Sequence, residues 1–224
     1  PAERLSDMQN RTRAMAEHKH KDSLDFQLIR ARLRVLQETR YDGYLTAANQ
    51  FRRILKTASG DEATAAHYGL SVALERLGKP DEALEHARKA AKLTFAHSIY
   101  IDKNLAQIAF SRAKSSQEKD AALALAKKTA DSYPYSAMMA ATYADLLLQA
   151  GHNAEVPRFL RRQKALDKHN PDYFSLLARS YEALGQKSRA YAATGDMYLL
   201  LGNLKAALYQ FDNAQKTADG DFYT

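Results

Sequence analysis

The chain has 224 residues, with 5 Pro, 9 Gly, no Cys and a formal net charge of +7. The lack of Cys excludes disulfides and thiolate metal sites but fixes no compartment, and no stretch nears the roughly 18 consecutive apolar residues of a membrane-spanning helix. So few helix breakers predict an all-α chain of long helices, and the Lys and Arg, spread along the sequence, read as a basic solvated surface rather than a nucleic-acid arm.

In chain order, Glu3 to Met15 reads as a polar helix with Leu5, Met8, Thr12 and Met15 along one side, and Ala16 to Asp22 as a charged connector. Pro1 and the unfinished pattern at Asp221 to Thr224 read as cuts in a longer polypeptide. Ser23 to Arg40 is then expected to be a helix with Leu24, Leu28, Ala31 and Val35 inward, capped by the Ser23 hydroxyl. Its partner carries Ala47-x3-Phe51. Next come His67-x2-Leu70-Ser71-x2-Leu74, the turn Leu77-Gly78-Lys79-Pro80, and Ala83-x3-Ala87-x2-Ala90. A degenerate pair follows, whose second helix has Ala122-x3-Ala126 and ends at Tyr133-Pro134. Then come Ala140-x2-Tyr143-Ala144-x2-Leu147, Ala150-Gly151 and Val156-x3-Leu160. The clearest unit is Phe174-x2-Leu177-Ala178-x2-Tyr181, Leu184-Gly185 and Ala190, and the last is Leu201-Gly202-Asn203 with Ala207-x3-Phe211-x2-Ala214.

These blocks resemble tetratricopeptide (TPR) repeats, whose unit of about 34 residues is two antiparallel helices with small residues where they touch. Gly185 stands where a first helix must stop, and Pro80 at the start of a second helix, where its missing N–H costs nothing. The anchors Ala47, Ala83, Ala122, Val156, Ala190 and Ala207 are spaced 36, 39, 34, 34 and 17 residues apart. The last interval is half the period, so the helix from about Gln186 to Leu200 is expected to close one unit and open the next. The fold class is an all-α, TPR-type α-solenoid of about five units.

No catalytic constellation stands out. There is no phosphate-binding glycine loop, no G-x-S-x-G elbow and no His-Glu-x-x-His. Of 7 His, the nearest approach to a metal motif is His18-Lys-His20, whose side chains point to different faces of a helix. His67 occupies a large-aromatic position and is read as packing. Arg158, Arg161, Arg162, Lys164 and Lys168 read as one basic helix with a solvated face, lacking the interleaved aromatics that stack on single-stranded bases.

What remains is recognition. First helices of a TPR array line a concave surface, and this pattern places Arg32, Arg40, Tyr68, Arg76, Asn104, Gln107, Asp145, Gln149 and Arg179 there, exposed. Amides pair with a peptide backbone and Arg grips carboxylates, so the set suits an extended peptide.

Two stretches carry a closer resemblance. Pro1-Ala-Glu-Arg-Leu-Ser-Asp-Met-Gln-Asn10 with Leu24 to Arg34, and Leu200 to Phe211 with Ala218 to Tyr223, resemble the segments that open and close the C-terminal TPR part of β-barrel assembly-enhancing proteases. The half-period spacing is similar too. The resemblance implies that residues 1–22 are a linker helix following a protease domain that precedes Pro1, and that 23–224 are the repeat array. It further implies a periplasmic zinc metalloprotease near the Gram-negative outer membrane, with its zinc held in that protease domain and no cofactor in this part. The array would dock to the barrel-assembly machinery, to outer-membrane β-barrel substrates and to its own protease domain. The alternative is a cytosolic TPR adaptor that binds short peptides.

Overall fold

A computed structural model describes residues 22–94, 97–217 and 219. The expected linker helix and the His18-Lys-His20 motif lie outside the described residues. Among the described residues there are eleven α-helices and no strand: α1 (Leu24–Leu36), α2 (Tyr41–Ile54), α3 (Gly60–Arg76), α4 (Pro80–Leu93), α5 (Ile99–Arg112), α6 (Ser116–Ser132), α7 (Ala137–Gln149), α8 (Glu155–Leu160), α9 (Pro171–Ala183), α10 (Lys187–Leu200) and α11 (Leu204–Lys216).

Local chemistry sets the helix ends. The Phe26 N–H donates to Ser23 Oγ at 3.3 Å, which caps α1 as expected. Ser115 and Glu118 form a reciprocal capping box on α6. Pro80 opens α4. At the end of α9, Gly185 has φ +74 and Gln186 N–H reaches back to the Tyr181 carbonyl at 2.9 Å, a closure that needs the left-handed conformation glycine tolerates. One boundary differs from the sequence reading. α1 stops at Leu36 rather than Arg40, and Arg40 has the extended backbone (φ −118) that leads into α2.

The helices pack as pairs in a stack: α1 with α2, α3 with α4, α5 with α6, α7 with α8, α9 with α10. First helices follow one another, α1 on α3, α3 on α5, α5 on α7 and α7 on α9, and each second helix also touches the first helix of the next pair. This is how a helix pair too small to bury its own apolar face becomes stable. The hydrophobic interior falls into two clusters that meet on α5, where Ile101 and Ile108 face the first and Ala106 and Phe110 the second.

α3 is the most enclosed element. It packs on α1, α2, α4 and α5, and its buried residues run all round the helix, Ala63 to Ala66 and Tyr68 to Leu74. Along the α3–α4 seam Ala83, Ala87 and Ala90 are all 0% exposed, so the backbones approach closely. A Cβ at Gly69 would run into the ring of Phe51, so α2 also approaches α3 over a residue with no side chain.

α10 packs on both α9 and α11. Its Gly195 lies under the Phe211 ring of α11, and Ser188 Oγ donates to the Ala214 carbonyl at 3.1 Å.

Candidate partner-docking surface

The first helices α1, α3, α5, α7 and α9 form the continuous row on which a docking face was expected, and the row is not uniform. In its N-terminal part α1 reaches across α3 to touch α5. That curl closes the face. Tyr68 and Asn104 are each only 1% exposed, which corrects the expectation that they stand open. The Asn104 amide donates to Ser71 Oγ at 2.5 Å, and Ser71 Oγ donates to the Tyr68 carbonyl at 2.7 Å. Asn104 therefore ties α5 to α3, while the Ser71–Tyr68 bond lies within α3. Arg40 is the second correction, because the early end of α1 leaves it exposed in the α1–α2 turn, off the first-helix face.

Around this closed part lies a strongly perturbed polar cluster. Burial pushes the Tyr68 phenol up, against the opposing pull of the neighbouring Arg32 guanidinium. Burial likewise pushes the Glu75 carboxyl up, opposed by Arg76, Arg32 and Lys103. Burial and Arg32 push the Lys103 ammonium down, and Glu75 opposes them. Perturbed groups gather at functional and structural sites alike. Here the buried Tyr68 and Asn104 beside them mark a structural one, with Arg32 and Gln107 half-buried and Arg76 exposed at its rim.

Beyond α5 the face opens. Arg179 on α9 donates to Asp145 Oδ1 on α7 at 2.7 Å, and Gln149 Nε2 donates to Asp145 Oδ2 at 2.6 Å. The Arg179 and Asp145 side chains are 50% and 34% exposed. Three of the nine expected residues thus form one solvent-facing network: a guanidinium, a carboxylate and an amide. Its guanidinium has further N–H groups to offer a partner carboxylate or carbonyl.

Two features escape the sequence pattern. His67 is not simply an aromatic filler: its Nδ1 lies 2.9 Å from Nδ1 of His86 on α4, with ring centroids 5.1 Å apart. At most one proton sits between those two nitrogens, so a doubly charged pair would set two N–H bonds head to head. Burial, then the charges of His67, Lys89 and Arg52, bring His86 down to about 4. No spacing rule links positions 67 and 86. The second feature concerns the basic segment after Glu155, which is not one helix. α8 ends at Leu160, Arg161 and Arg162 form a turn, and Lys164 and Lys168 lie in the irregular stretch before α9, where Leu166 is buried.

Among the described residues no group of three or more His, Cys, Asp or Glu is placed to hold a metal ion. No helix of the described residues is long and apolar enough to cross a membrane.

Comparisons with known proteins bear on the fold. Residues 64–97 match the tetratricopeptide repeat family model. This is the unit running from His67 through Ala90, rather than the one at Phe174 that reads most clearly by eye. No curated protein matches the sequence. Among solved structures the chain is similar to YrrB, described as a TPR protein with an unusual peptide-binding site, at 17% identity over 91% of this chain and 89% of that one, with a TM-score of 0.41. At that score the likeness says nothing about the pitch of the stack or its ligand. The matched unit and the successive packing of helix pairs make this chain an all-α solenoid of TPR type, a fold that takes peptide or protein partners.

Proposed function

We propose that this chain holds an extended segment of a partner protein along the first-helix face from α5 to α9. The observation that carries the reading is the Arg179–Asp145–Gln149 network, half open to solvent and built from groups that pair with a peptide backbone or carboxylate. Gln107, half-buried on α5, and Arg76, exposed at the end of α3, are the expected residues that precede this network in the first-helix row. The closed N-terminal part serves as the rigid support.

At a finer level, we infer that the array is the docking part of a periplasmic metalloprotease that promotes assembly or degradation of outer-membrane β-barrel proteins. The similarity of both end segments to β-barrel assembly-enhancing proteases supports this, as does the half-period interval before Ala207. Its partners are then the barrel-assembly machinery, its β-barrel substrates and the protease domain, and the zinc belongs to that domain.

Photo-reactive residues at Gln107, Gln149 and Arg179 test both levels in the full-length protein within intact cells. Crosslinks to barrel-assembly components from the periplasmic fraction support the finer reading. Crosslinks only to cytosolic proteins favour a general peptide adaptor. Crosslinks at none of the three positions reject the face itself. A gene with no export signal and no His-Glu-x-x-His helix before Pro1 also rejects the protease reading.

A further inference from the structure

α8 is the shortest helix of the described residues, six residues against thirteen to seventeen for the others. Val156 and Leu160 stand where α4 has Ala83 and Ala87, but the third anchor, Ala90 in α4, is Gln163. Val156 and Leu160 are the buried residues of α8, and the helix ends at Leu160. α6 and α8 do not touch, as no two successive second helices of this stack do, and between them lies a cleft of about 630 Å³ over α7.

The floor of the cleft is Tyr143, Leu147 and Phe159, the two aromatic rings meeting edge to face with centroids 4.8 Å apart. Its own acids are already engaged. Asp131 accepts from Lys127 at 2.9 Å, and Glu155 lies 2.9 Å from His152 Nδ1. That leaves Arg158 and Arg162 on one wall, both exposed. From 158 to 168 the chain carries five cations, Arg158, Arg161, Arg162, Lys164 and Lys168, against one acid, Asp167. Asp167 is occupied by the His169 backbone N–H at 2.9 Å.

We propose that this cleft is a second docking surface, for an acidic segment of a partner protein that places an apolar side chain against Phe159 and its carboxylates on Arg158 and Arg162. Guanidinium groups exposed beside an apolar floor bind carboxylates in bidentate fashion and give both affinity and orientation. A phosphate-bearing strand fits less well. Phe159 is already packed edge-on against Tyr143 rather than presented as a stacking platform for bases. The surface lies between second helices, so it is separate from the first-helix face and does not depend on the reading of that face.

The test uses the whole chain and a labelled peptide, Glu-Asp-Glu-Phe-Asp-Glu-Asp, with its Gln/Asn counterpart and a thymidine oligonucleotide as competing probes. Fluorescence anisotropy is expected to show binding of the acidic peptide only. Arg158→Glu with Arg162→Glu is expected to weaken it at least tenfold, while Lys187→Glu with Lys205→Glu, equal in charge change, leaves it within twofold. A photo-reactive group at Gln163 is expected to capture the peptide, and one at Gln149 is not. The proposal is overturned by no binding, by equal losses in the two double variants, by capture at Gln149 in place of Gln163, or by tighter binding of the oligonucleotide. Circular dichroism on each variant separates lost binding from lost fold.

Discussion

The pairs α3–α4 and α7–α8 begin from similar sequence patterns and end as different structures. Both first helices carry the leucine and small-residue spacing of the repeat, and both turns place a glycine at positive φ, Gly78 at +71 and Gly151 at +81. In α4 the seam continues through Ala83, Ala87 and Ala90, so fourteen residues of helix lie flat on α3. In α8 it fails at the third anchor and the helix lasts six residues. Past the short α8 the side chains of Arg161 and Arg162 are exposed, and a cleft lies beside the helix. The closed layer supports the array and the open one is free to bind.

The contrast can be broken or sharpened by substitution. The largest effect is expected from Ala83→Leu, which forces a branched side chain into a seam with no exposure. It should cost about 3 kcal/mol, at the upper end for overpacking, in chemical denaturation. Gly69→Ala follows at about 2 kcal/mol, because its Cβ meets the Phe51 ring. Adding Phe51→Ala should remove most of the Gly69 penalty in a double-mutant cycle, whereas simple additivity would refute the contact.

The next effect depends on pH. His67 and His86 both have folded-state values below their ordinary 6.5, His86 at about 4. Their neutral forms therefore contribute stability above about pH 6.5, and that contribution is lost as pH falls toward 4. Lys89, Arg52 and Glu82 face the pair, and only Glu82 favours protonation. Both rings keep some solvent contact, so about 1 kcal/mol is expected, well under the full linkage value. The change in melting temperature between pH 7 and 4.5 should be smaller in the His67→Gln, His86→Gln double variant than in the parent protein. The smallest effect is Gln163→Ala. Restoring a small residue to the open seam should lengthen α8 by a turn and stabilise by a few tenths of a kcal/mol, read from backbone chemical shifts.

Much of this architecture is legible in the amino-acid order. Gly78 and Gly185 mark where first helices stop, Ser23 marks the start of α1, and the alanine ladder at Ala83, Ala87 and Ala90 marks the tightest seam. The half-period interval points to α10, which packs on two neighbours. The spacing Tyr191-x2-Thr194-Gly195-x2-Tyr198 within α10 repeats a first-helix pattern and would have identified its second role directly. The candidate site is less legible. Whether a first-helix residue is open depends on how far α1 curls over α3, a property of the whole stack that no local spacing encodes. Tyr68 and Asn104 are buried for that reason. Asp145, Gln149 and Arg179 lie beyond the curl and remain accessible. Arg40 departs because α1 ends about one turn earlier than its pattern implies, at Leu36, which moves Arg40 into the turn before α2.

The most direct test of the central claim is amide chemical-shift mapping of the whole chain with a peptide selected from a random library. Docking on the open first-helix face predicts the largest shifts at Gln107, Asp145, Gln149 and Arg179, and at least a tenfold loss of affinity in Arg179→Ala. Shifts confined to α1 and α2, with Arg179→Ala binding as tightly as the parent, would contradict it.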